Sequence, residues 1–292
     1  MEKIKFIVDS PSDIPEEDLA RYNIDMMAVP ITVDGEGYFE RKSFTIQEFY
    51  TVLSQSTEIP TTSRVPAFDF RDAFHKAWQE GYKTIICVTI NAGGSGTYQS
   101  AVMGMQMFFE ENPQAVESIA LHVLDSKTYT VAYGWPVMEG AKMAQEGRSS
   151  AEILEFMQEW FDSLEIYLAT YTLEYAKKSG RISAAAAFVG DVLGLRPIIS
   201  MIDGTTKVVE KVRGEKQVIP KLLELYEKQC TDSKAPCFIV KGSVDEYADQ
   251  LSALFMEKYG WAPPVYNAGA SIVINSGPKI VALVCKGKKR TK

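Results

Sequence analysis

The stretch TIICVTINAGGSGTYQSA, residues 84–101, decides how the rest of the chain is read. Its first seven residues are apolar or β-branched throughout, the pattern of a strand covered on both faces. A glycine-rich loop follows, and helical spacing resumes at about Thr97. A strand leading through such a loop into a helix is the repeating step of a parallel α/β sheet, whose ligands bind at the carboxyl ends of the strands. The helix start brings unpaired backbone N–H groups and the positive end of its dipole, which together suit an anion. Gly93, Gly94 and Gly96 let backbone approach a ligand closely, and Ser95 and Thr97 add hydroxyl donors. A tight turn capped by Ser95 without any ligand has the same letters.

The segments around this one fit the same scheme. Residues 3–8 predict a first strand, and Pro15 with Glu16, Glu17 and Asp18 suits a helix start. A second strand is expected over 26–33, helices over 46–53 and 68–78, a strand over 121–124 and two helices to about Asp162. Beyond that the texture changes. A strand at 165–170 leads to a loop and turn around 177–181 and an alanine-rich helix at 183–193. Segments 197–202 and 207–212 flank Asp203-Gly204 as a hairpin. A helix at 218–228, a strand at 237–240, another helix and a closing pair of strands near 271–285 complete the chain. The expected class is α/β in two domains: a mostly parallel α/β domain over 1–163 and a smaller α+β domain over 164–292. The 292 residues suit that division at roughly 100–200 per domain.

Composition narrows the function. With 31 Lys+Arg against 38 Asp+Glu the formal net charge is −7, which argues against non-specific nucleic-acid binding. The four cysteines form no C-x-x-C pair, and only His75 and His122 are available to complete a zinc site. They read as small buried hydrophobes in a reducing compartment. The opening MEKIKFIVDSPSD has too short an apolar stretch for a signal peptide, and no run approaches the ~18 residues of a membrane span. A cytoplasmic protein is the expectation, with at most transient membrane contact.

Several segments carry candidate chemistry. A nucleophile elbow needs G-x-S-x-G, but Gly93-Gly94-Ser95-Gly96-Thr97 ends in threonine, and a P-loop needs a lysine that is missing here. A Ser95-dependent esterase or acyl-transferase would also need His75 or His122 within reach. Pro60-Thr61-Thr62-Ser63-Arg64 is a second hydroxyl-dense loop, equally readable as a helix cap. Asp9 and Asp13 end the first strand, where paired carboxylates serve a metal or acid–base work as well as a turn. Arg181, after Lys177-Lys178-Ser179-Gly180, and Arg213 put permanent positive charge on an acidic chain. The small and apolar residues of 183–193 suit a greasy slot or a tightly packed core helix.

Taken in order, these pieces resemble the DegV family of bacterial fatty-acid-binding proteins. The resemblance runs through IVDSPSDIP, AVPITV, TTSR, SGTYQSA, VLDSKT, KKSGRIS, LGLRPIIS with its DG turn, KVRG and INSGP, with SGTYQSA and SGRIS the most specific. It implies two α/β domains around one long-chain fatty acid, the acyl chain in an apolar tunnel and the carboxylate at the domain junction. It implies a non-enzymatic carrier that needs no cofactor and presents the acid to a fatty acid kinase, which makes an acyl-phosphate for phospholipid synthesis. Carried over by position, the carboxylate falls to Ser95 with Gly94, to Thr62 with Ser63, and to Asn275, while Arg181 and Arg213 lie where such proteins meet the kinase. The chain departs from the family's usual SSGLSGT at Asn91, Ala92 and Gly94 and from TSQPS at Arg64-Val65-Pro66. Asn275-Ser276-Gly277-Pro278 stands where the family often has a histidine before Gly-Pro. A protein binding some other small anion is a further alternative.

Overall fold

Apolar runs that exclude water on both faces set the architecture of the computed structural model, which describes residues 2–183, 194–230, 232 and 234–290. The chain begins with β1 (Ile4–Asp9), α1 (Glu16–Arg21), β2 (Ile24–Met27), β3 (Pro30–Val33), β4 (Glu36–Phe39), α2 (Ile46–Gln55) and β5 (Thr61–Thr62). It continues through α3 (Ala67–Gln79), β6 (Thr84–Thr89), α4 (Thr97–Glu111), β7 (Ala120–Asp125), α5 (Val131–Gln145) and α6 (Ser150–Ser163). The later elements are β8 (Leu164–Thr170), α7 (Leu173–Ser179), β9 (Leu195–Ile202), β10 (Thr205–Arg213) and α8 (Val218–Gln229). After them come β11 (Cys237–Lys241), α9 (Asp245–Tyr259), β12 (Val265–Asn267), α10 (Ala270–Ser276) and β13 (Ile280–Lys286).

Strands β2-β1-β6-β7 form a sheet with every pair parallel. All of β6 is buried, as its unbroken apolar run predicts. A six-stranded sheet, β10-β9-β8-β13-β11-β12, is antiparallel except between β11 and β12. The fold is thus mixed α/β, with a parallel sheet and a second, mainly antiparallel sheet. Period-two alternation gives the second sheet two buried faces. Ile166, Leu168, Ile280 and Ala282 share one core with Phe6, Val8, Ile86 and Val88 of the parallel sheet. Tyr167, Ala169, Val281 and Leu283 face the other way, against Leu222 of α8 and Leu251 and Phe255 of α9. The shared core is where the cavity described below opens.

Three expected elements come out differently. Residues 26–33 make two strands in different sheets: the Val29 N–H donates to Ser10 Oγ (3.0 Å) and its carbonyl accepts from Glu40 N–H (2.9 Å), so neither continues the β1 ladder. The chain steps instead into the small antiparallel sheet β4-β3-β5. Residues 270–276 are helical, not strand, because carboxylates from the other half of the chain receive the first amides of this segment. The turn expected at 177–181 is the end of α7, closed by Gly180 at φ +68°, a left-handed position glycine takes without strain. The alanine-rich helix expected at 183–193 lies, after Ser183, outside the described residues.

Candidate functional site

Between the two sheets lies a cavity whose walls hold about 870 Å³ of empty space, part of it open to solvent. Its inner wall is apolar: Ile166 and Leu168 of β8, Met201 of β9, Val240 of β11, and Ile280 and Ala282 of β13. Its polar lining gathers elsewhere, on the β6–α4 loop, β5 and its following loop, the 126–130 loop, the residues after α7, and α10. An apolar slot with a few convergent polar groups is the usual make-up of a small-molecule site.

The β6–α4 loop is braced from several sides. Ile90 N–H donates to both Asp9 carboxylate oxygens (3.0 and 3.2 Å), which ties the carboxyl ends of β1 and β6 together. Ala92 N–H donates to Asp125 Oδ1 (3.0 Å), and the Gly94 and Ser95 amides donate to the Asn91 carbonyl (3.0 and 3.1 Å). Gly93 N–H donates to Asn91 Oδ1 (3.0 Å). The amides of Ala92, Gly93, Gly94 and Ser95 are therefore engaged ahead of the helix, which begins at Thr97. Ser95 Oγ accepts from Thr97 N–H (3.3 Å) and lies 2.9 Å from Thr97 Oγ1, which itself accepts from Val65 N–H (3.4 Å). Either hydroxyl of the Ser95–Thr97 pair can be the donor, so one hydroxyl hydrogen of the pair is not used between them.

Thr62 sits on β5, opposite Ile31, and Ser63 N–H donates to the Pro30 carbonyl (2.9 Å). Asn275 is on α10, its Nδ2 donating to Ser271 O (2.7 Å) while its carbonyl accepts from Ser179 Oγ (3.2 Å). Arg181 is exposed and reaches Ser179 O with Nη1 (3.1 Å). Thr62, Ser63, Gly94, Ser95, Arg181 and Asn275 all line the one cavity. Arg213 does not; it ends the edge strand β10, exposed. His75 Nε2 lies 2.7 Å from Gln79 Nε2 on α3, and His122 is on β7; neither lines the cavity, so Ser95 has no histidine partner there.

Behind the cavity wall, Asp9, Asp13 and Glu40 are buried. Burial pushes the Asp9 carboxyl up to about 7 and Asp13 up to about 8. Tyr133 donates to Asp9 Oδ1 (2.8 Å), Gly269 N–H to Asp13 Oδ1 (2.9 Å), and Ser10 Oγ to Glu40 Oε2 (2.6 Å). These groups fix the wall and do not line it. Among the described residues no three His, Cys, Asp or Glu side chains converge as a metal-ligand set, and no helix is long and apolar enough to cross a membrane. Cys87, Cys237 and Cys285 are buried and unpaired.

Sequence reasoning gave no role to Asn91, Tyr129 or Ser271. Asn91 Nδ2 donates to Tyr129 Oη (2.7 Å) and to the Gly204 carbonyl (3.2 Å), which joins the loop to the β9–β10 hairpin. Tyr129 and Ser271 line the cavity. An asparagine directly after a buried strand, ahead of three glycines, is the only signal the letters offered.

Comparison with known proteins places the chain among relatives. The model of a family described as uncharacterised proteins, DegV family, matches residues 3–288. A DegV domain-containing protein of Clostridium perfringens is 30% identical over 284 residues, covering 96% of this chain and 97% of that one. A DegV family protein from Thermus thermophilus, described as binding fatty acid, superposes with a TM-score of 0.86 at 23% identity, over 98% of this chain and all of its own. A stearic-acid-binding protein from Eubacterium ventriosum does so with a TM-score of 0.86 at 21% identity, over 98% of each chain.

Proposed function

The chain belongs to the DegV family, and from that premise we propose that it is a non-enzymatic carrier of one long-chain fatty acid. The acyl chain lies along the apolar wall and the carboxylate meets Ser95 and Thr62, with Ser63, Gly94 and Asn275 beside them. In this reading 1–163 carries the head-group loops and 164–292 walls the tail. The carrier presents the carboxylate to a fatty acid kinase, which transfers a phosphoryl group from ATP to give an acyl-phosphate and ADP. Arg181 at the cavity and Arg213 on the exposed edge strand are the residues that meet the kinase.

The observation that carries the reading is the continuity of one cavity from Leu168 and Ala282 to Ser95, Thr62 and Arg181. Each buried CH₂ contributes about 0.8 kcal/mol, so a 16-carbon tail supplies on the order of 10 kcal/mol before the entropy of binding is charged. The carboxylate would be costly to bury bare and needs aimed donors, which the hydroxyls supply. No feature of the cavity favours ester hydrolysis, since neither histidine reaches Ser95.

Delipidated protein titrated with palmitate tests this. Saturable binding with a rise in melting temperature is expected, and no turnover of p-nitrophenyl palmitate. Absence of binding, or ester turnover lost on Ser95→Ala, would overturn it.

A further inference from the structure

Tyr129 lines the cavity beside Gly94, Ser95 and Arg181, and its hydroxyl is only half used. Oη accepts from Asn91 Nδ2 at 2.7 Å, yet among the described residues its own hydrogen meets no acceptor. At the polar end of the cavity, a phenol hydrogen with no protein acceptor is open to a ligand that can accept it.

The surroundings hold this phenol in place. Asn91 uses both amide hydrogens, one on Tyr129 and one on the Gly204 carbonyl, and its Oδ1 takes the Gly93 N–H, so its side chain has a single arrangement. A Cβ built on Gly94 would lie 2.7 Å from Tyr129 Oη and 3.2 Å from Cε1. The phenol therefore fills the space that any side chain at position 94, directly before Ser95, would need. Tyr129 also stands between Lys127 and Thr130, both at φ +55°, a backbone arrangement kept only where the surroundings impose it.

We infer that Tyr129 is a further head-group residue, donating its hydroxyl hydrogen to the ligand's carboxylate, with Asn91 as its positioning residue and Gly94 as the gap that admits it. The inference rests on the carrier reading of the same cavity and deepens it. A donor that itself accepts a hydrogen bond is polarised and donates more strongly. Burial keeps the phenol protonated, and so a donor, across the physiological range. A carboxylate is the acceptor that gains most, since a hydrogen bond to a charged group is roughly twice as strong as one between neutral groups.

The test compares wild type with Tyr129→Phe, titrated with palmitate and with methyl palmitate. Palmitate affinity is expected to fall roughly 10- to 100-fold in the variant, and methyl palmitate affinity by less than about 3-fold. A purely structural role would weaken both ligands alike, and that result would overturn the inference. Gly94→Ala supplies the second arm. It should weaken palmitate binding in wild type and add little in the Tyr129→Phe background, whereas full additivity would show that the two positions are not coupled. If wild type binds palmitate and Tyr129→Phe binds it equally, the role of Tyr129 alone fails. If wild type binds neither ligand, the carrier reading fails with it.

Discussion

Glu40 receives both polar hydrogens of Ser271, the N–H at 2.7 Å on Oε1 and the O–H at 2.5 Å on Oε2. The two residues lie 231 positions apart, and Ser271 opens the helix that carries Asn275. A buried carboxylate of the first half of the chain thus fixes where one wall of the cavity stands in the second.

Glu40→Gln keeps the size but replaces one accepting oxygen with a donor that faces hydrogens. Destabilisation of about 2–4 kcal/mol is expected, from weakened charge-assisted bonds and a buried clash of donors. Urea unfolding measures it, and an unchanged midpoint would mean that this contact does not anchor α10.

The buried acids predict a pH dependence of definite sign. Asp9, near 7, and Asp13, near 8, are raised by burial above the ~3.9 of an unfolded aspartate. Asp13 Oδ2 meets no donor among the described residues, which adds to the cost of charging it. The folded chain therefore holds protons that the unfolded chain has released. Stability from these groups is full below about pH 4 and is lost as pH rises towards 8, at up to about 1.4 kcal/mol per pH unit for each group. Urea midpoints at pH 5.5 and 8 should show the fall. Asp13→Asn, tolerated at φ +51° and still able to accept from Gly269, should flatten it.

Ser95→Ala and Thr62→Ala each remove one hydroxyl from the polar lining of the cavity. Each is expected to weaken fatty-acid binding by roughly 1–3 kcal/mol, and Ser95→Ala, which also loses the bonds to Thr97, to lower the unliganded stability by about 1 kcal/mol. Calorimetric titration of delipidated protein checks this. Unaltered affinity in both would move the carboxylate elsewhere.

The two arginines should separate. Arg213 lies outside the cavity, so Arg213→Ala is expected to leave palmitate affinity unchanged while lowering acyl-phosphate formation by a fatty acid kinase. Arg181 lines the cavity but is exposed to solvent, so Arg181→Ala should lower both, the affinity by only about 3- to 10-fold and less at high salt. Unchanged phosphorylation in both variants would remove them from the kinase interface.

What the sequence made legible was what local pattern encodes. The apolar run of β6 and the glycines after it marked a strand, a loop and a helix, and Asp203-Gly204 marked the hairpin between β9 and β10. The hydroxyl loops at Thr62 and Ser95 were visible as letters, and the fold brings both to one cavity. The helix at 270–276 was hidden because its first amides are received by Asp13 and Glu40, partners no local window contains. The break within 26–33 was hidden for the same reason, since Ser10 and Glu40 divert the backbone of Val29. Tyr129 left no trace because its place depends on Asn91 and on an absent side chain at Gly94.

Mass spectrometry of the small molecules released on denaturing protein purified from a bacterial host tests the central claim most directly. The account predicts one fatty acid per chain, of roughly 14 to 18 carbons, long enough for its tail to drive binding. Protein that releases no lipid, and that gains no stability when such acids are added back, would contradict it.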